Sequence, residues 1–328
     1  MADYTNRRRA WNQYWATGAM HSLKGSLPDH YQGAVRAFWQ RVFAGLDHEK
    51  RVLEVGTGNG ALPALICQLC AQDMPRVDAV DYADIDPTWV RQAPDACRDA
   101  IVFHPNQLIE ALPFADETFD LVVGQFAFEY AERPAAIKEL LRVLKPDGNV
   151  GLLLHASDSR LAEVARAEAP MAEWLLEIDG FMEATGDIYR HAALASTAEG
   201  RRRLQGDPEA THAKKRYNEA MQRLSQAARA TPVPDLLLEA REFVATQVAA
   251  AASSGRCEQS LHLHAEYARS LADAALRSKE LLAHALDGEA AGILVADMLH
   301  QGLADARVAP FHHENGALIG WSLLGRKT

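Results

Sequence analysis

The segment Val52–Leu62, "VLEVGTGNGAL", is an apolar run that breaks into alternating glycines and then resumes as a helix. Glycine lets a backbone turn tightly and approach another group closely, so the segment predicts a strand, a turn against a ligand, and a helix. Two spacings fit it: Glu-x-Gly-x-Gly-x-Gly from Glu54 to Gly60, and Gly-x-Gly-x-x-Ala from Gly56 to Ala61. The segment alone does not decide between them.

The two spacings imply different cofactors. The first is typical of S-adenosylmethionine sites, and the second of nicotinamide or flavin dinucleotide sites. Glu54 ends the predicted strand, where its carboxylate can face the charged amine of S-adenosylmethionine; a nicotinamide dinucleotide has no such amine near that point. Asp81, near the end of the next predicted strand, can accept both hydroxyls of a ribose, which both cofactors carry.

Strand and helix signals alternate from about residue 50 to residue 156, which predicts a parallel sheet with helices on both faces. The predicted strands are Arg51–Val55, Arg76–Asp81, Ala100–His104, Phe119–Gly124 and Asn149–His155. The predicted helices between them are Ala61–Ala71, Pro87–Ala96 and Arg133–Leu144.

Helical signals flank this block. Two segments precede it, Asn6–Thr17 and Tyr31–Phe43, whose aromatic residues either pack on the sheet or cap the cofactor. From Ser157 to about Ala304 the chain reads as several helices, and Asn315-Gly316 between two apolar runs predicts a final hairpin.

Four ordered motifs in this chain resemble the class I S-adenosylmethionine-dependent methyltransferases, especially the group that includes the ubiquinone/menaquinone C-methyltransferases. They are "EVGTGNG" (54–60), "AVDYA" (79–83), "LPF" with "FDLVV" (112–114 and 119–123), and "RVLKPDG" (142–148). They cover about residues 50–156 in the order of that family. A single glycine loop is weak evidence, but four ordered motifs favour S-adenosylmethionine over a dinucleotide.

The resemblance implies a fold and a domain organisation. We expect an α/β, Rossmann-like, doubly wound sheet, mostly parallel, with a C-terminal antiparallel hairpin. The expected parts are an N-terminal helical cap (1–48), the cofactor-binding core (49–156), a helical insertion that is an acceptor lid or a dimer surface (157–304), and a hairpin that completes the sheet (305–328).

The resemblance also implies roles for single residues. Glu54 and the turn glycines would hold the methionine part of the cofactor, and Asp81 would hold its ribose. Relatives often place an aspartate against the adenine, and here Asn106 or Gln107 would replace it. The full set of predicted cofactor-binding residues is Glu54, Gly56, Thr57, Gly58, Gly60, Asp81, Tyr82, Asn106, Gln107 and Gln125.

Methyl transfer from a sulfonium mainly needs alignment of the acceptor and exclusion of water, so no universal catalytic residue is expected. Ligands of open α/β sheets bind beyond the carboxyl ends of the strands, where Glu129, Tyr130 and His155 follow two predicted strands. His155 is the preferred general base because of the ordinary pKa of histidine, and a structural histidine is the alternative. Tyr130 and Glu129 are the further candidates.

Composition and charge restrict the kinds of partner that the protein is expected to bind. A net charge of −10 argues against sequence-independent nucleic-acid binding, and no apolar run reaches the length of a membrane span, so we expect a cytoplasmic protein. Cys67-x-x-Cys70 lies in a predicted helix without a second pair at zinc spacing, which predicts buried thiols and no metal site. His262, His264 and Glu266 predict a solvated helix face.

The function predicted from these observations is S-adenosylmethionine-dependent methylation of an oxygen or carbon atom of a small, fairly apolar metabolite. Two alternatives stay open: an NAD(P)-dependent oxidoreductase, and a non-catalytic S-adenosylmethionine-binding protein that engages a partner through its helical insertion. A homodimer is also left open.

Overall fold

The computed structural model describes residues 2–22, 32–177 and 180–328; Tyr31, predicted to start a helix, lies outside them. The helices are α1 Ala2–Ala16, α2 Gly33–Val42, α3 Ala61–Cys70, α4 Asp95–Ala100, α5 Arg133–Val143, α6 Arg160–Leu176, α7 Phe181–Gly186, α8 Ile188–Leu194, α9 Ala198–Leu204, α10 Pro208–Ala230, α11 Asp235–Ser254, α12 Cys257–His284 and α13 Gly288–His300. The strands are β1 Arg51–Val55, β2 Arg76–Val80, β3 Ile101–His104, β4 Phe119–Gln125, β5 Leu144–His155, β6 Leu303–His312 and β7 Leu318–Lys327.

The strands form one seven-stranded sheet in the order β3-β2-β1-β4-β5-β7-β6. The first five are parallel, and β7 runs antiparallel to both β5 and β6. In the register of the sheet, Val55 at the end of β1 lies between Val80 of β2 and Gly124 of β4. The expected fold class, a mostly parallel doubly wound sheet with an antiparallel hairpin, is confirmed.

Both faces of the sheet are buried, because consecutive strand residues point to opposite sides. Val52 belongs to a core with α2 and α3, where Trp39 and Leu65 are fully buried. Its neighbour Leu53 belongs to a second core with α5 and α13, which contribute Leu140 and Met298. This alternation explains why the strands read as near-continuous apolar runs.

The predicted helix Pro87–Ala96 is wrong. The structure has a 3₁₀ turn at Thr88–Gln92 and then the short helix α4. Pro94 disfavours a helical conformation at the residue before it, and Ala93 is accordingly extended, with φ −71° and ψ 158°. The chain therefore restarts its helix after Pro94.

Contacts divide the chain into two compact units, one of residues 1–163 with 280–328 and one of residues 164–279. The second unit is shorter than the expected insertion of residues 157–304. The difference arises because α13 packs Ala291, Leu294 and Met298 into the core of the sheet. No helix among the described residues is both long and apolar enough to cross a membrane.

The helical unit has its own apolar core, to which α7, α10, α11 and α12 contribute buried side chains. The prediction of a solvated face for His264 is wrong, because its ring is buried against Tyr189. Its Nδ1 lies 3.0 Å from the Tyr189 hydroxyl and its Nε2 lies 2.8 Å from the Met182 carbonyl oxygen. His262 and Glu266 do form an exposed pair, 3.3 Å apart.

The prediction that Cys67 is a free buried thiol is also wrong. Cys67 of α3 is disulfide-bonded to Cys97 of α4, with their Cα atoms 5.6 Å apart. The fold brings Cys67 and Cys97, which are 30 positions apart, within disulfide range, and sequence spacing does not reveal this. Cys70 and Cys257 are free and half-buried.

We expect Cys97→Ala to lower the free energy of unfolding by about 2–4 kcal/mol, because the disulfide restricts the unfolded chain. Urea titration measures the change, and Cys257→Ala, which removes a half-buried free thiol, is the matched control. Alkylation without reduction followed by peptide mapping should label Cys70 and Cys257 only. Alkylated Cys67 and Cys97 in untreated protein would contradict the pairing.

Candidate active site

The turn after β1 is held by backbone hydrogen bonds and very close packing. Gly56 and Thr57 both donate their N–H to the Val80 carbonyl oxygen, at 2.9 and 3.0 Å. Gly56 and Gly58 have φ of 71° and 54°, in the left-handed region that favours glycine. A Cβ on Gly56 would lie 2.0 Å from the Ala127 Cβ, and a Cβ on Gly58 would lie 2.4 Å from the Trp15 ring.

Two buried acids stand at this turn. The Asp81 carboxylate accepts hydrogen bonds from the N–H groups of Gly58, at 2.7 Å, and Ala83, at 2.8 Å. Burial raises the pKa of Asp81 to about 6. Glu54 accepts a hydrogen bond from the Thr57 hydroxyl, and burial raises its pKa to about 8, with Asp81 contributing in the same direction. Both surroundings disfavour a negative charge that has no cation beside it.

A cleft with a volume of about 120 Å³ opens at the carboxyl ends of β1, β2 and β4. Ligands of open α/β sheets bind at this edge of the sheet. The structure brings most of the predicted cofactor-binding residues together in its lining: Glu54, Gly56, Thr57, Asp81, Tyr82, Gln107 and Gln125. Gly58, Gly60 and Asn106 are not in the lining.

The two candidates for the adenine contact differ in position. Asn106 is exposed, and its Oδ1 accepts a hydrogen bond from Arg8. Gln107 lies in the cleft lining, and its backbone N–H donates to the Asp81 carbonyl oxygen at 2.8 Å. This geometry favours Gln107, and the adenine contact itself stays a prediction.

Gln125 is the last residue of β4 and lines the cleft, and a residue of α2 orients its side chain. Its side-chain oxygen accepts a hydrogen bond of 2.6 Å from the Trp39 indole N–H, and both side chains are buried. Trp39 of α2 thus orients a polar group of the cleft.

Helix α1 forms one wall of the cleft through Tyr4, Arg7, Trp11 and Trp15. Trp11 and Trp15 stack at 5.6 Å. Asn59 in the glycine turn fixes the end of the helix, because its side-chain amide donates to the carbonyl oxygens of Trp15, at 2.9 Å, and Ala19, at 2.8 Å. Trp11 and Trp15 thus line the cleft, whereas Phe38 and Trp39 of α2 pack in a core of the sheet.

His155, the preferred general base, is buried and lies against Phe126. Its ring stacks on Phe126 with centroids 4.3 Å apart, and burial lowers its pKa to about 3. Its Nδ1 has no hydrogen-bond partner among the described residues, and His155 is not in the cleft lining. Its role as a base stays a prediction.

Glu129 lies beside His155, and Tyr130 reaches the cleft. Glu129 Oε1 accepts a hydrogen bond of 2.7 Å from the His155 backbone N–H, and Oε2 finds no partner within the described chain. Burial raises the pKa of Glu129 to about 7. Tyr130 lines the cleft, and burial raises the pKa of its hydroxyl. Of the three candidate catalytic residues, only Tyr130 is in the lining.

Sequence reasoning did not identify Arg7, which also lines the cleft. Its guanidinium pairs with Glu280 near the end of α12 and donates to the Tyr130 carbonyl oxygen at 3.2 Å. Its Nη2 lies 2.9 Å from Nε2 of His284. The partners in α12 are more than 270 positions away along the chain, so no local pattern could have revealed them.

Comparison with known families agrees with this geometry. Residues 53–152 match a family described as a methyltransferase domain. This match supports the resemblance of the chain to the class I S-adenosylmethionine-dependent methyltransferases. Metal ligation has no candidate in the described part of this chain, where no group of three or more His, Cys, Asp or Glu side chains is placed to hold an ion.

Curated relatives cover part of the chain. The ubiquinone/menaquinone biosynthesis C-methyltransferase UbiE of Yersinia enterocolitica is 29% identical over 168 residues, or 48% of this chain. The chain spans 65% of the length of that relative.

Two solved methyltransferase structures each align with less than half of this chain. A SAM-dependent methyltransferase from Aquifex aeolicus is 19% identical with a TM-score of 0.35, covering 45% of this chain and 75% of that one. The geranyl diphosphate C-methyltransferase of Streptomyces coelicolor A3(2) is 13% identical with a TM-score of 0.36, covering 46% of this chain and 65% of that one.

We expect the affinity for S-adenosylhomocysteine to rise with pH between 6 and 8, approaching tenfold per pH unit at most. Glu54 has a pKa of about 8 in the free protein, and it must lose its proton to attract the ligand amine. Calorimetric titration at several pH values measures this, and Glu54→Gln should weaken binding and flatten the profile. An equally steep profile in Glu54→Gln would exclude Glu54 as its source.

The buried carboxyl group of Glu129 makes the stability of the protein depend on pH. The pKa of Glu129 rises from an ordinary 4.5 to about 7 on folding, so the unfolded state ionises first and Glu129 costs stability as pH rises from 4.5 to 7. The free energy of unfolding of Glu129→Gln, measured relative to the wild type, should therefore rise by on the order of 3 kcal/mol between pH 4.5 and pH 8. Glu54 and Asp81 affect the stability of the wild type and of Glu129→Gln in the same way. The difference between the two unfolding free energies therefore isolates the effect of Glu129. A constant difference would refute the assignment.

Proposed function

We propose that the protein transfers the methyl group of S-adenosylmethionine to an oxygen or carbon atom of a small, fairly apolar metabolite. The observation that carries the proposal is the cleft at the glycine turn, where the buried carboxyl groups of Glu54 and Asp81 stand beside a backbone that only glycine fits. The whole chain's activity and its acceptor are part of the proposal.

The residues present fit this cofactor. Burial disfavours the charge of Glu54, and the positively charged amine of the methionine part would relieve that cost. Asp81 keeps lone pairs on two oxygens that are already oriented by Gly58 and Ala83, which suits a pair of ribose hydroxyls. When bound, S-adenosylmethionine supplies an electrophilic methyl group on a sulfonium.

The chain's own residues would then align the acceptor and exclude water. The wall of the cleft is aromatic and apolar, with contributions from α1 and from the segments after β3 and β4: Tyr4, Trp11, Trp15, Leu108, Ile109, Phe126 and Tyr130. Such a lining favours a fairly apolar acceptor. The name of the Yersinia relative supports carbon as one acceptor atom.

The placement of the acidic and basic groups bears on proton transfer. His155 would have to act past the Phe126 ring, and with a pKa of about 3 it is a weak base. The cleft therefore supports alignment of an already reactive acceptor better than proton abstraction by His155. The cytoplasmic location and the oligomeric state stay predictions.

Calorimetric titration with S-adenosylhomocysteine and, in parallel, with NADH tests the cofactor. We expect binding of S-adenosylhomocysteine only, and a loss of at least about tenfold in Asp81→Asn, because the amide places a donor against the N–H of Gly58 or Ala83. The matched control is Asp86→Asn, an exposed aspartate that pairs with Arg91 at 2.7 Å.

The outcomes separate the candidate functions. Preference for NADH would replace the proposal by an NAD(P)-dependent oxidoreductase. Binding of S-adenosylhomocysteine without methyl transfer from labelled S-adenosylmethionine to any of a panel of phenols, enols and amines would favour a non-catalytic binding protein.

A further inference from the structure

Several polar residues of the cleft lining have no role in the proposed cofactor site, and Arg7 and Tyr130 are two of them. We propose that Arg7 and Tyr130 together bind a delocalised oxyanion of the acceptor, which makes the acceptor a phenol or an enolisable carbonyl compound. This inference rests on the proposed methyltransferase function and adds the substrate class.

Hydrogen bonds to three partners hold the Arg7 guanidinium, and further N–H groups of it remain available to a ligand. Its Nε bonds to Glu280, one Nη1 hydrogen is used by the Tyr130 carbonyl oxygen, and one Nη2 hydrogen by His284. A guanidinium has five N–H groups. The partners found among the described residues therefore leave one N–H on each terminal nitrogen. The Arg7 side chain is 13% exposed, so those donors act in a poorly solvated place.

His284 helps to orient the guanidinium. Burial lowers the pKa of His284, and the charge of Arg7 lowers it further, while Glu280 opposes this. A neutral imidazole accepts a hydrogen bond on one nitrogen, which is what the Arg7 Nη2 contact requires. Two tyrosines also lie beside Arg7, since the ring centroids of Tyr4 and Tyr130 are 5.4 and 5.8 Å from the Arg7 Cζ.

The Tyr130 hydroxyl is suited to donate a hydrogen bond and not to act as a general base. Burial raises the pKa of its phenol, and the nearby charges of Glu129 and Glu280 raise it further against the opposing effect of Arg7. The hydroxyl therefore stays protonated at neutral pH. This changes the role expected from the sequence, because Tyr130 becomes a hydrogen-bond donor to the acceptor and not a general base.

The charge balance selects the kind of anion. Glu280 already neutralises Arg7, so a phosphate dianion would enter without a cation for its two charges. A phenolate or enolate carries a single delocalised charge, at which two donors can be directed. Its flat conjugated frame also suits the aromatic wall made by Tyr4 and Trp11.

This site explains how methylation could proceed without proton abstraction by His155. The acceptor loses its O–H or α-C–H proton to solvent on binding as the oxyanion. An electron pair on its oxygen or conjugated carbon then forms the bond to the methyl carbon, while the pair of the breaking carbon–sulfur bond goes to sulfur. Where a ring carbon of a phenol is methylated, the hydrogen on that carbon then leaves as a proton to solvent. The protein's part is to stabilise the anion and to aim it.

4-Nitrophenol is the probe for this site, because its phenolate absorbs visible light and its neutral form does not. Titrated into the protein with and without S-adenosylhomocysteine, the bound probe should show a pKa lowered by about one unit or more, which is a tenfold preference for the phenolate. Tyr130→Phe and Arg7→Met should each remove most of this shift. Arg7→Lys, which keeps the charge but loses the fork, should retain only part of it.

Controls keep the result tied to the site. Arg91→Met removes an arginine from an exposed pair with Asp86 and should leave the shift unchanged. Calorimetry with S-adenosylhomocysteine on every variant tests the proposed function separately, and we expect Tyr130→Phe to bind it with wild-type affinity. Because Tyr130→Phe removes a single hydroxyl, it remains informative if Arg7→Met does not fold.

Two results would overturn the inference while the proposed function stands: S-adenosylhomocysteine binds but the probe binds with an unshifted or raised pKa or not at all, or the shift survives in both Tyr130→Phe and Arg7→Met. Failure of S-adenosylhomocysteine to bind the wild-type protein would overturn the proposed function, and the inference with it.

Discussion

The hydrogen bond from the Gly58 N–H to the Asp81 carboxylate is the contact on which the cleft depends. It joins the turn after β1 to the residue after β2, and the backbone bonds from Gly56 and Thr57 to Val80 reinforce the same connection. The turn can approach Asp81 only because its glycines lack a Cβ, since Ala127 and Trp15 occupy the space on the other sides. The ends of three elements are thereby fixed around one point.

This arrangement concentrates buried carboxyl groups. Glu54, Asp81 and Glu129 all have raised pKa values because burial removes them from water. Such groups lower stability and are tolerated where a ligand or a neighbouring donor compensates them. For Glu54 and Asp81 the compensation would come from a cationic, hydroxylated ligand. For Glu129 part of it comes from the His155 backbone, so that this acid is tied to the end of β5 rather than to the cleft.

The sheet was predictable because its determinants are local. Alternation of Val52 and Leu53 between two cores produces the apolar strands, and the Asn315-Gly316 turn marks the hairpin. Pro94 was a local signal too, and it should have ended the predicted helix before it. The Cys67–Cys97 disulfide was not predictable, since it follows from how α3 and α4 pack and not from the spacing within Cys67-x-x-Cys70.

The site was only half predictable for the same reason. The motif positions of Glu54 and Asp81 follow from strand ends, but a strand end does not tell which way a side chain points or how deep it lies. His155 follows β5 as expected and yet stacks behind Phe126.

Arg7 shows the opposite case, in which a residue with no motif around it enters the cleft through partners in α12. Its helix, α1, is a cleft wall that Asn59 holds near one end and that Glu280 and His284 hold through Arg7. Changes in α12 that weaken the grip on Arg7 would thus alter the acceptor end of the cleft without touching the glycine turn, so acceptor choice can vary among chains that share the same four motifs.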